Sequence, residues 1–185
     1  MRISIILTAE ILEVSFSMQL LNTPPAKPNG SIFTRHTARA IVLKGNNILL
    51  LFTARYDDYT LPGGGVDKNE AIEAALLREL QEETGVRSIT QCNAFGRFEE
   101  VRAWYKEDFD YVYIVSDCYV CEICGEFDKP QMEQYEVANG MRPVWVNIDD
   151  AIAHNKQTLA QSEKKGLSIQ REIFLLEEIK KRLIN

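Results

Sequence analysis

The chain has 185 residues, of which 45% are apolar and 26% charged, and a formal net charge of −6. That length suits one domain with small additions, and the composition supports a core of ordinary size. The acidic balance and the lack of a long basic run argue against DNA binding, but not against a small phosphorylated ligand, because a metal ion can bridge an acidic site to an anion.

Residues 1–30 read as an N-terminal extension and linker, and 31–185 as the functional domain. The opening segment, MRISIILTAEILEVSFSMQLL, is apolar, but Glu10 and Glu13 interrupt it. It lacks the unbroken stretch of a secretory signal, nothing in the chain reads as membrane-spanning, and a cytoplasmic protein is expected. Residues 1–17 either form strands packed on the domain or a partner, or precede a natural start at Met18. The linker NTPPAKPNGS is too rich in proline, glycine and asparagine for a regular element.

ARAIVLKGNNILLLFTAR reads as a hairpin turning at Gly45-Asn46-Asn47, residues that tolerate positive φ. YDDYT is expected to be an exposed connection, and LPGGGV a strand end entering a glycine loop. A helix is predicted over Asp67–Thr84. Strands near Ile89–Glu100 and Tyr111–Ile123 follow, then a polar loop over Gly125–Gly140. RPVWVNI reads as a short strand and DDAIAHN as a short helix. The last helix runs over Ser168–Leu183, with Ser168 as N-cap and Ile169, Ile173, Leu176 and Leu183 on its apolar side. This order predicts an α/β fold with a mixed sheet and helices packed on it.

Three of the four cysteines, Cys118, Cys121 and Cys124, have CxxCxxC spacing; the fourth is Cys92. They lie in or beside a β-branched, aromatic run that reads as a strand. Residues three apart on a strand point to opposite faces, so Cys118 and Cys121 diverge. Buried or half-buried free thiols are expected rather than a metal site, and they fit a reducing compartment.

The stretch RELQEETG places Glu79, Glu82 and Glu83 within five positions. With about 100° per residue, Ile72, Leu76, Leu77 and Leu80 cover one side of the helix, and the three glutamates form a ridge beside that stripe. Like charges at these spacings cost roughly 0.2–0.5 kcal/mol per pair. A solvated acidic face explains neither the placement beside the core nor the upstream Gly63-Gly64-Gly65. A divalent cation explains both: carboxylates suit hard ions such as Mg²⁺ or Mn²⁺, which bridge to substrate phosphates. The glycines let backbone approach a ligand, and amides at the helix start favour an anion. Asp67 and Glu70 have capping-box spacing, and Arg78 is placed to pair with Glu70.

These residues resemble the Nudix box, G-x5-E-x7-R-E-U-x-E-E-x-G-U with U aliphatic. Gly64, Glu70, Arg78, Glu79, Leu80, Glu82, Glu83, Gly85 and Val86 fill every fixed position. The resemblance implies an α/β/α sandwich around a mixed sheet. It implies metal-dependent hydrolysis of a nucleoside diphosphate linked to a group X, as a small nucleotide-derived phosphoanhydride substrate. It makes Glu79, Glu82 and Glu83 the ligands of Mg²⁺ (or Mn²⁺), puts Arg78 and Glu82 in the catalytic set, and favours Glu79 as the base. Glu133, Glu136, Glu99 and Glu100 are candidates for a glutamate acting from outside the box, Glu136 being placed with the substrate-binding residues Arg55, Gly63, Gly64 and Gly65.

Phe33, Phe98, Trp104 and Tyr105 are candidates for stacking on a base. Val101 and Arg102 stand where many ADP-ribose-cleaving relatives have a proline. His36 and His154 read as structural. Two other readings compete: a non-catalytic nucleotide-sensing module, and an enzyme acting on RNA 5′ ends. A homodimer is compatible with the sequence.

Overall fold

The computed structural model describes residues 15–17 and 30–184; the expectations for the rest of the N-terminal segment lie outside the described residues. The predicted hairpin is split between two sheets. Strand β2 (Ile32–Ile41) runs parallel to a distant strand, and only β3 (Leu43–Lys44) turns back onto β4 (Asn47–Thr53). The turn closes on Gly45, whose φ of 59° is the left-handed conformation that glycine adopts without steric cost. Val42 between β2 and β3 is buried, and it carries the chain from one sheet to the other.

The first sheet has the order β1-β6-β7-β2, with β1 at Ser15–Ser17, β6 at Ser88–Ala103 and β7 at Tyr111–Cys124. β6 and β7 are antiparallel, whereas β2 lies parallel to β7 and β1 parallel to β6, so the sheet is mixed as expected. In the second sheet β4 pairs antiparallel with β3, with β5 (Asp58–Thr60) and with β8 (Met141–Asn147). YDDYT is therefore not an exposed connection: Asp58 is buried and Thr60 pairs with Leu51.

Helix α1 spans Ile72–Thr84, shorter than predicted because the Asp67–Glu70 turn precedes it. Only half of the expected capping box forms: the Asp67 amide donates to Glu70 at 3.0 Å, and the helix is capped from Ala71 without a side-chain bond. The predicted polar loop contains a short helix, α2 (Gln134–Ala138). Helix α3 (Ile148–Gln161) extends well past DDAIAHN. Helix α4 (Ile169–Ile179) ends in a π-helical turn, and its inner face uses Ile179 rather than the exposed Leu183.

Apolar side chains alternate across the sheets into two cores. Ala38, Ala40, Val42 and Leu49 pack with Leu76 and Leu80 of α1. Ile41, Ile48 and Leu50 pack with Ile148, Leu175, Leu176 and Ile179 of α3 and α4. Period-2 alternation along strands buried on both faces thus gives a helix–sheet–helix sandwich. A register shift at Ala94/Gly96 of β6 lets Phe95 and Phe98, three apart, enter the same core. Cys118 and Cys121 face different cores, as the strand reading requires, while Cys124 is exposed.

Candidate active site

A cavity of about 750 Å³ opens between α1, the glycine loop, the β2 end of the first sheet, α2 and the loop before α4. Helix α1 contributes Arg78, Glu79, Glu82 and Glu83, and the loop contributes Gly63, Gly64 and Gly65. The loop runs against β2: the Ala40 amide donates to the Pro62 carbonyl at 2.9 Å, that of Ala38 to Gly64 at 3.0 Å, and that of Val66 to His36 at 3.0 Å. A Cβ at Gly63, where φ is 125°, would collide with the Ala38 carbonyl oxygen at 2.1 Å. One at Gly64 would meet both Glu79 carboxylate oxygens at 2.5 Å. The glycines let the loop lie flat on the strand and leave room for a carboxylate.

The expected role of the loop amides changes accordingly. The Gly63 amide donates to Glu83 Oε2 at 2.6 Å, and α1 begins only at Ile72, so the loop is not the helix N-terminus. It orders the acidic ridge. Arg39 fastens the same loop from β2, donating to the carbonyls of Gly63 and Leu61.

Arg78 organises the ridge. Its guanidinium is bidentate on Glu70, at 3.0 and 2.9 Å, and also donates to Glu79 at 2.8 Å, to Glu82 at 3.4 Å and to the Gly65 carbonyl at 3.0 Å. The predicted Arg78–Glu70 pair is present, and Arg78 holds the Glu70 carboxyl down at about 2. Glu79 and Glu83 differ. Burial raises the Glu79 carboxyl despite Arg78. Burial pushes Glu83 up to about 8, with Glu79 and Glu136 adding repulsion. Burial thus disfavours the charged form of both carboxyls, most strongly for Glu83.

This oxygen-only donor set suits a hard divalent cation. Glu79 and Glu83 gain most from one, because a cation would offset their burial, and Gly64 keeps the space beside Glu79 open. The ridge is not a closed ligand cluster: among the described residues no three acidic, histidine or cysteine side chains converge, and Arg78 bonds both Glu79 and Glu82.

Of the other expected site residues, Glu136 is buried on the cavity wall. It accepts from the Glu133 amide at 2.8 Å and the Tyr135 hydroxyl at 3.0 Å. Arg55 is not on the lining; it donates to Asn139 at 3.1 Å and lies over the Tyr56 ring. Glu100 is tied up in a buried ion pair with Arg171. Of the four aromatic candidates for stacking, Tyr105 alone lines the cavity. Phe98 is core, and Phe33 and Trp104 pack edge to face at 4.7 Å. His154 contacts Asp57, a structural role.

The sequence reading missed Arg35, Arg39, Arg102 and Arg171, which also line the cavity. The available signal was alternation: Arg35, Thr37 and Arg39 occupy one face of β2.

The NUDIX domain family model matches residues 34–168, more than half of the chain. Diphosphoinositol polyphosphate phosphohydrolase 3-beta of Bos taurus is 30% identical over 108 residues, 58% of this chain and 58% of that protein. The chain thus spans less than two thirds of the length of such relatives. An RNA pyrophosphohydrolase of Bartonella henselae is 42% identical over 57 residues, 31% of this chain and 30% of that one. The crystal structure of a MutT NUDIX hydrolase from Burkholderia pseudomallei superposes with a TM-score of 0.53 at 21% identity, covering 80% of this chain and 98% of that chain. Among the described residues, no helix is long and apolar enough to cross a membrane. The filled box, the sandwich and the family match agree: the chain belongs to the NUDIX domain family.

Proposed function

We propose that this protein is a pyrophosphohydrolase that cleaves a phosphoanhydride bond in a nucleoside diphosphate linked to a group X, with Mg²⁺ or Mn²⁺ held by Glu79, Glu82 and Glu83. The observation that carries this reading is the acidic ridge facing a cavity large enough for a nucleotide: Glu83 is buried and held by the Gly63 amide, and the half-buried Glu79 shares the single guanidinium of Arg78 with Glu70 and Glu82. The names of the relatives support the bond type, a phosphohydrolase and a pyrophosphohydrolase.

Each residue has a definite task in this account. A divalent cation, when bound, stabilises negative charge on the phosphoryl group in transfer. Glu79 takes the proton of the attacking water as general base. Arg78 sets the positions of Glu79 and Glu82 through its fork of donors. Gly63 holds Glu83 by its amide, and Glu136 closes the opposite wall. The cytoplasm is the proposed compartment, consistent with the free thiols.

The test is a hydrolysis screen in Mg²⁺ or Mn²⁺ with nucleoside triphosphates, nucleotide sugars, ADP-ribose and dinucleoside polyphosphates, read by chromatography. One class is cleaved, and Glu79→Gln lowers its turnover by at least about 100-fold, roughly 2.7 kcal/mol, while the protein stays folded. Near-normal turnover in that variant would remove Glu79 from the chemistry. Tight binding with no product from any compound would favour the sensing module.

A further inference from the structure

The wall facing the acidic ridge is cationic, and the proposed hydrolysis does not use it. Strand register builds it. Arg35 of β2 pairs with Ile114 of β7, and Ile114 with Glu100 of β6; two residues along, Phe33 pairs with Val112 and Val112 with Arg102. Arg35 and Arg102 therefore share a sheet face, two strands apart, roughly 10 Å across the sheet. Both line the cavity.

These arginines are not neutralised as Arg171 is. Arg171 is buried and donates to both Glu100 and Glu172. By contrast, Nε and Nη1 of Arg102 and Nε of Arg39 are buried with no hydrogen-bond partner. The Arg35 guanidinium ranges over the glycine loop, 3.7 Å from where a Gly65 Cβ would stand. Burial and the neighbouring Arg171, Arg35 and Arg39 lower the proton affinity of Arg102, with Glu100 opposing. Arg39 is committed to the loop carbonyls, so Arg35 and Arg102 are the pair with donors to give. Buried Arg102 donors without acceptors, on a cavity wall that the exposed Arg35 shares, call for an anion.

We propose that Arg35 and Arg102 form a second anion subsite that binds a phosphate on the X group, apart from the scissile diphosphate. The substrate class is then a phosphoanhydride whose X group is itself phosphorylated. This deepens the hydrolase reading and rests on it for the word substrate, but the subsite is testable without turnover.

The first arm is calorimetry of tripolyphosphate binding in EDTA. The wild-type protein binds saturably, Arg102→Met and Arg35→Met each weaken binding at least tenfold, and Glu79→Gln does not weaken it. No saturable binding, or equal binding by both arginine variants, overturns the subsite. Arg35 is exposed, so its variant folds even where Arg102→Met does not. The second arm measures affinity in EDTA for matched pairs differing by one phosphate away from the anhydride: NADPH against NADH, and coenzyme A against its 3′-dephospho form. In at least one pair the phosphorylated member binds tenfold tighter, and Arg35→Met brings the ratio towards one. A ratio of one in every pair, or equal weakening of both members, places these arginines on the shared diphosphate and overturns the proposal. Failure of hydrolysis with this binding intact would count against the enzyme reading alone.

Discussion

Two charged clusters lie near each other in this fold and behave differently. In the first, Arg171 of α4 is fully buried and closed: Glu172 Oε1 accepts from its Nε and Nη2 at 3.0 and 2.9 Å, and Glu100 of β6 accepts from its Nη1 at 2.7 Å. The second Glu172 oxygen takes the Leu61 amide at 2.9 Å. In the second cluster, Arg78 serves Glu70, Glu79 and Glu82, and Glu83 has only the Gly63 amide and a distant Arg39. The first cluster is satisfied internally and ties β6 and the chain after β5 to α4. The second has more carboxylate than the protein can neutralise. Buried charge that is fully hydrogen-bonded serves as scaffold; buried charge left in excess at a cavity marks where a ligand completes the structure.

The largest effect that separates the two is on stability. Arg171→Met leaves Glu100 and Glu172 buried without their cation and should cost about 3–5 kcal/mol in urea unfolding followed by circular dichroism. A loss below that range would show that water or rearrangement already satisfies the triad. Gly64→Ala tests the open cluster with a single methyl group, which meets the Glu79 carboxylate at 2.5 Å. In the proposed mechanism, displacing the Glu79 carboxylate lowers kcat/KM by between ~10- and ~100-fold, roughly 1.4–2.7 kcal/mol, while unfolding changes little. Equal loss of stability and activity would make Gly64 a folding residue only.

A smaller effect sharpens the boundary between the clusters. Asp58 lies beside Glu172 and Asp57, and burial together with these neighbours raises its carboxyl from 3.8 to about 6, against a favourable His154 and the Gly166 amide. The folded state therefore holds this proton more tightly than the unfolded chain. Its contribution to stability is complete below about pH 4 and is lost as pH rises through about 6. Asp58→Asn, which stays neutral, should match the wild type near pH 4 and exceed it at pH 7.5 by on the order of 1 kcal/mol. A difference independent of pH would put the effect in packing rather than charge.

Much of this site is legible in the sequence because its parts are close together in the chain. The helical period places Glu79, Glu82 and Glu83 beside the Leu76–Leu80 stripe, and the Arg78–Glu70 pair spans only eight residues. The cationic wall is different. Arg35, Arg102 and Arg171 look like ordinary surface charges locally, and only the register of β2, β7 and β6 and the docking of α4 bring them to one cavity. The same limit hides β5, whose polar DYT pairs and buries only because β4 lies alongside. It also hides the switch at Val42, where one apolar run serves two sheets. Helix α2 escapes notice because its capping residues, Glu133 and Glu136, resemble solvated loop charges; the Glu136 carboxylate in fact closes the box from inside.

The central claim is that the excess carboxylates of α1 are completed by a divalent cation. The most direct measurement is a Mn²⁺ titration followed by electron paramagnetic resonance, on the wild-type protein and on Glu79→Gln and Glu82→Gln. The account predicts saturable binding by the wild type and at least tenfold weaker binding by each variant. Absence of saturable binding, or binding that both variants retain in full, would contradict it.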